Sequence, residues 1–349
     1  DFDTATQGFE ITDIAEVGGS DTGAVCPSTS WSSGDYTLEQ EGIARQFRVR
    51  LPAGYSTDQA YPLIALFHGW GGDESEFLDN ATVQSESDQR GYVLVAPLGL
   101  GREEPGNRFS SWSFQGSTTG LDGDGLNAAV SNDTDAICDD DMTANYTYPS
   151  CEGIAENGCS WMQCSVDDVA FSAALVQEVS ANVCIDSERV YAVGGSNGGM
   201  FVWDLGRDAQ SAEVFTAVAP ILGLPHRGYL DPPISEGGMP VISITGSRDR
   251  TVPPGDWEQE SFTTTSDGDA YYYSSASAIT KVWAASQGCD TTVPAESIDV
   301  GSSSMECRGW SYCQSDSQWP PVLDCRGDMG HIYKLSSSWP LILDFFEQL

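Results

Sequence analysis

The chain has 349 residues with 15 Lys+Arg against 52 Asp+Glu, a formal net charge of −37, yet 40% of it is hydrophobic and 10% aromatic. Such apolar content excludes a disordered acidic tail and implies a globular protein with an acidic surface. The same charge argues against nucleic acid as a partner and against anionic membranes, because few cations are present to neutralise phosphates.

Residues 1–43 read as an N-terminal extension rich in Asp, Thr, Ser and Gly, with Cys26 available to tether it to the body. Phe47 to Leu51 alternates like a half-buried strand, whereas Pro62 to Phe67 and Tyr92 to Ala96 are short unbroken apolar runs. Unbroken runs of this length fit parallel strands covered on both faces. Residues 109–188 contain no basic residue, and 109–165 read as an acidic, Cys-containing insertion. Its Asp122, Asp124, Asp133, Asp135, Asp139, Asp140 and Asp141 lack EF-hand spacing and read as a solvated loop instead of a calcium site. After Asp167-Asp168, which can cap a helix, Val169, Ala173, Val176 and Val183 recur at helical spacing. A strand over Arg189 to Val193 then runs into Gly194-Gly195-Ser196-Asn197-Gly198-Gly199 and a helix from Met200 to Leu205. Further strands are expected over Phe215 to Pro220 and Val241 to Thr245, and helices near Ser274 to Ser286 and from Trp339 to the C-terminus. Strands alternating with helices predict an α/β fold with a mainly parallel sheet, in one domain spanning 1–349.

Gly194 to Gly198 matches G-x-S-x-G between a predicted strand and a predicted helix, the context a nucleophile elbow requires. A serine of ordinary pKa needs a base within hydrogen-bond reach. There are three histidines, His68, His226 and His331. With this elbow the chain order is Ser, acid, His, so His331 in the Gly327–His331 loop is the expected base, with His226 the competitor. Asp249, just beyond the strand at 241–245, is the expected acid that fixes the imidazole tautomer; Asp256, Asp324 and Asp328 compete. The oxyanion is expected to bind the backbone N–H groups of Asn197 and of Trp70 in His68-Gly69-Trp70-Gly71-Gly72. That leaves His68 as a support for the loop.

The ten cysteines include no CxxC, and three histidines leave little for a metal site, so disulfides in an oxidising compartment are the better reading. The short-range candidate pairs are Cys159 with Cys164 and Cys307 with Cys313. Sequons at Asn80, Asn132 and Asn145, the absence of a long apolar run and a start at Asp1 without a leader are read as a mature, secreted, glycosylated chain. Only Lys281 and Lys334 are lysines, a depletion that suits solubility in salty water.

Taken in order, RVRLPAGY (48–55), HGWGG (68–72), SSW (110–112), CSVDDVAF (164–171), CIDSERVYAVGGSNGG (184–199), GSRDRTVP (246–253) and GH (330–331) resemble the secreted α/β-hydrolase esterases of the feruloyl esterase and polyhydroxybutyrate depolymerase group, carbohydrate esterase family 1. The resemblance covers roughly residues 44–349. It implies an α/β-hydrolase fold, stabilised by disulfides, and a serine esterase with Ser196 as nucleophile, Asp249 as acid and His331 as base. No cofactor or metal is implied, and a monomer acting on an ester substrate is expected. Members often carry Trp-Pro shortly after the His, where this chain has Ile332-Tyr333-Lys334. Feruloyl or related aromatic esters on polysaccharide are the expected substrates, with Trp112, Tyr333 and Trp70 offering aromatic faces. A polyester depolymerase is the alternative, followed by a serine peptidase and a catalytically dead binding module.

Overall fold

A computed structural model describes residues 26–27, 31–100, 103–104, 107–108, 110–112, 167–226, 239–264, 272–313 and 317–349. Most of the expected insertion lies outside the described residues, including its Asp cluster, Asn132, Asn145 and the Cys159–Cys164 pairing.

In chain order the strands are β1 (Gly34–Gln40), β2 (Ile43–Arg50), β3 (Tyr61–Phe67), β4 (Val93–Pro97), β5 (Glu103–Glu104), β6 (Asn107–Arg108), β7 (Ile185–Gly195), β8 (Ala217–Ile221), β9 (Val241–Gly246), β10 (Phe262–Thr264), β11 (Tyr272–Ser274), β12 (Glu296–Ile298), β13 (Glu306–Gly309) and β14 (Val322–Gly327). The helices are α1 (Ser75–Leu78), α2 (Ala81–Arg90), α3 (Asp168–Asn182), α4 (Asn197–Arg207), α5 (Ala276–Ser286) and α6 (Leu335–Phe346). Ten strands make one sheet in the order β1-β2-β4-β3-β7-β8-β9-β14-β13-β12. The six from β4 to β14 run parallel, and an antiparallel pair flanks them on each side.

The unbroken apolar strands follow from cover on both faces. Leu63, Ala65 and Phe67 of β3 point to one core with Phe171, Leu175, Phe201, Trp203 and Trp283 of α3, α4 and α5. Ile64 and Leu66 point to the other, with Phe77, Val83 and the α6 residues Trp339, Ile342 and Phe346. Period-two alternation thus divides one apolar run between two helical layers.

Three regions differ from the sequence reading. The segment read as extension ends in a sheet strand: β1 pairs with β2 through Glu41 and Gly42, both at positive φ (52° and 79°), a hairpin turn suited to the twist of the sheet. Strands β12, β13 and β14 were not expected. β14 is central, but Asp324 and Arg326 interrupt its apolar pattern; they are 3% and 7% exposed and pair with each other at 2.8 Å, which satisfies both charges inside the fold. Finally, Cys307 does not pair with Cys313. Cys307 of β13 faces Cys325 of β14 in register and bonds to it, while Cys313 bonds to Cys289 beyond α5. Cys26 bonds to Cys184 at the start of β7, tying the N-terminal segment to the body.

Candidate active site

Ser196 is the single residue between β7 and α4, and its backbone is at φ 50°, ψ −114°. A non-glycine residue holds such a conformation only when its surroundings impose it. The imposing contacts come from glycines. A Cβ on Gly198 would lie 2.1 Å from the Phe67 carbonyl oxygen, and one on Gly194 would lie 2.1 Å from that of Gly198. Strand and helix therefore approach more closely than any side chain allows, and the serine stands out on the turn at the N-terminus of α4, where backbone N–H groups favour negative charge.

Because β9 and β14 are adjacent and parallel, their C-terminal loops emerge side by side next to this turn. The Ser247 and Arg248 N–H groups donate to the carbonyls of Gly327 and Met329 and stitch the loops together. Asp249 comes from the first loop and His331 from the second. His331 Nε2 lies 2.9 Å from Ser196 Oγ, and Nδ1 lies 2.7 Å from Asp249 Oδ2. The other Asp249 oxygen accepts the N–H groups of Thr251 and Val252 at 2.9 and 3.0 Å, so the carboxylate is held from both sides. The Asp249 side chain is fully buried while His331 remains 26% exposed. The competing carboxylates lie elsewhere: Asp324 pairs with Arg326, Asp328 with Arg248, and Asp256 is exposed.

His226, the competing base, is 1% exposed, stacks on Tyr273 at 4.8 Å and has Nδ1 3.4 Å from the Tyr272 carbonyl. Burial pushes its imidazole pKa down to about 4. Between pH 6.5 and about 4 the unfolded chain binds a proton that the folded one refuses, so this histidine lowers stability as the pH falls through that window. His226→Phe is expected to flatten the pH dependence of Tm between 4 and 6.5; equal slopes in variant and wild type would refute the assignment.

The other wall is the loop after β3. His68 is 1% exposed, donates from Nδ1 to the Gly69 carbonyl at 2.7 Å and accepts the Gly99 N–H on Nε2 at 2.9 Å, a support for the loop. The Gly69 N–H donates to Glu76, the Gly71 N–H to the Ser110 carbonyl and the Gly72 N–H to the Gly69 carbonyl. Trp70 is 37% exposed on this loop. Asn197 is fully buried, and its side-chain oxygen accepts the Trp112 N–H at 3.0 Å.

Trp112 is a correction. It is fully buried, donates its indole N–H to the His68 carbonyl at 2.8 Å, and packs on Phe67 and Phe201. It forms a floor beneath the loop and has no face to offer a substrate. Tyr333 is half-buried: it stacks on Phe77 at 5.5 Å and donates its hydroxyl to Glu76. Glu76, which no sequence motif singles out, thus contacts both sides of the site.

A mainly parallel sheet covered by helices on both faces, with a serine on the tight strand-to-helix turn at its C-terminal edge, is the α/β-hydrolase fold. A solved acetyl xylan esterase from Aspergillus awamori shares this fold with a TM-score of 0.54 and 13% identity, over 90% of this chain and all of that one. In sequence the chain is similar to Feruloyl esterase D of Neurospora crassa, 27% identical over 230 residues, which are 62% of this chain and 61% of the relative. The chain therefore spans about three fifths of the relative it matches. No family model matches. Among the described residues no helix is long and apolar enough to cross a membrane, and no group of His, Cys, Asp and Glu is arranged to hold a metal.

Proposed function

We propose that this chain is a secreted serine esterase acting on feruloyl or related aromatic esters of polysaccharide. The observation that carries the reading is the unbroken series Ser196 Oγ, His331 Nε2, His331 Nδ1 and Asp249 Oδ2, with links of 2.9 and 2.7 Å. Similarity to Feruloyl esterase D supports the ester class. Three disulfides among the described residues support an oxidising compartment.

In this reading His331 takes the hydroxyl proton as Ser196 Oγ attacks the ester carbonyl. Asp249 holds the imidazole with Nδ1 protonated and favours the imidazolium that forms. The backbone N–H groups of Asn197 and Trp70 receive the oxyanion. Collapse breaks the bond to the alcohol, which leaves with the proton from His331, and the acyl group stays on Ser196. Water then attacks with His331 again as base, releasing the acid and the free serine.

A second reading, a depolymerase of aliphatic or aromatic polyesters, draws on Trp70 and Ile332, which are 37% and 72% exposed and adjoin Gly69 and His331. Large exposed apolar side chains beside a site suit a polymer surface. The test labels the protein with a fluorophosphonate and compares ferulate release from feruloylated oligosaccharide with hydroxyacid release from polyester film. Labelling at Ser196 with preferential ferulate release is expected. Release from film alone favours the second reading, and no labelling of the folded protein overturns both.

A further inference from the structure

Glu76 lies on α1, just after the His68–Gly72 loop, and its carboxylate turns back onto that loop. The Gly69 N–H reaches both of its oxygens, at 3.1 and 3.2 Å. The Tyr333 hydroxyl donates to the same carboxylate. Tyr333 follows the expected base by two positions, and its ring lies against the elbow: a Cβ on Gly195 would fall 2.2 Å from the ring carbon bearing the hydroxyl. A Cβ on Gly69 would fall 2.6 Å from the hydroxyl oxygen and 3.3 Å from the Ser196 Cβ. The loop after β3, the turn bearing the serine and the loop bearing the histidine therefore meet at one hydrogen-bonded pair. Phe77, stacked on the tyrosine, and the Ser338 hydroxyl, which donates to the Tyr333 carbonyl at 2.9 Å, hold the pair from outside.

We infer that Glu76 and Tyr333 form a brace that fixes the loop carrying the oxyanion donor relative to Ser196 and His331, with both acting as positioning residues. The inference rests on the esterase reading of Ser196. Oxyanion stabilisation demands donors aimed where charge appears only in the transition state, so a loop free to shift forfeits rate before it forfeits substrate binding. The location is a costly one for a carboxylate. Burial pushes the Glu76 carboxyl up, aided by the negative charge of Asp73, while the bonds from Tyr333 and Gly69 and the proximity of His331 oppose that rise. A group whose only use was loop packing would be better served by an apolar side chain.

The test compares Glu76→Ala, Glu76→Gln and Tyr333→Phe with wild type on a short p-nitrophenyl ester, together with hydrogen exchange over residues 63–78. Glu76→Ala is expected to lower kcat by about 10- to 100-fold with KM within about threefold, the signature of an interaction realised in the transition state. Glu76→Gln, which retains an oxygen for the Gly69 N–H, is expected to return kcat to within about threefold of wild type. Tyr333→Phe is expected to lose about 3- to 10-fold in kcat. Exchange protection over 68–72 is expected to fall in Glu76→Ala and to persist in Glu76→Gln.

Unchanged kcat in Glu76→Ala, a Gln variant as impaired as the Ala variant, or unaltered exchange would each overturn the brace. If Glu76→Ala does not fold, Tyr333→Phe decides, and full kcat there overturns it. Absence of ester turnover in wild type would strike the esterase reading instead, while the exchange measurement still reads the brace.

Discussion

Ser196→Ala is expected to lower kcat for short p-nitrophenyl esters by about 10⁵- to 10⁶-fold with the fold intact, because the proposed nucleophile is lost while its supports stay in place. The substitution removes one hydroxyl from a half-buried turn, and the strained backbone there is imposed by Gly194, Gly198 and the close approach of α4 to β3, none of which it touches. Circular dichroism and Tm should therefore match wild type. Asp249→Asn is the informative companion. An amide in that place can donate to His331 Nδ1, which favours the tautomer with the proton on Nε2 and leaves Ser196 Oγ without an acceptor; the expected loss is about 10⁴-fold in kcat. Combining the two should cost no more than Ser196→Ala alone, since residues that act as one unit are not additive. Turnover by Ser196→Ala within about tenfold of wild type would mean that another group carries the chemistry.

The parts of this site that the sequence reveals share a physical origin. A parallel strand covered on both faces leaves an unbroken apolar run, so β3 and β4 are legible one by one. The elbow is legible because glycine alone fits where Gly198 meets the Phe67 carbonyl. What stays hidden depends on partners far along the chain. Asp324 and Arg326 look like loop residues until each is seen to neutralise the other inside β14, and with β14 unseen the Cys307–Cys325 register has no basis. Trp112 adjoins a functional loop in space, and nothing in its local sequence separates an aromatic that lines a pocket from one that closes its floor. Glu76 is harder still, since its meaning lies in Gly69 and in Tyr333, which is more than 250 residues away along the chain.

Asp168→Ala is expected to destabilise the protein by about 3–5 kcal/mol, the cost of leaving a buried guanidinium without its counter-ion. Asp167 and Asp168 both read as candidates to charge a helix start, but the structure divides the tasks. Asp167 is the cap, accepting the Ala170 N–H at 2.8 Å. Asp168 turns inward and meets Arg45 of β2 at 2.7 Å, with the two side chains 1% and 2% exposed. The guanidinium also lies 3.9 Å over the Phe171 ring. Once the carboxylate is gone, water cannot reach Arg45, and the remaining ring contact offsets only part of the loss. The double variant Arg45→Met with Asp168→Leu removes both charges and is expected to recover most of the stability, since an apolar pair of similar volume avoids desolvation altogether. Urea unfolding of the single and double variants measures both quantities, and a single-variant loss below about 1 kcal/mol would place the pair among weakly coupled surface bridges. The pair joins β2 to the start of α3, so kcat of the remaining folded Asp168→Ala protein should match wild type; a fall in kcat at full stability would mean that this corner of the fold reaches the triad.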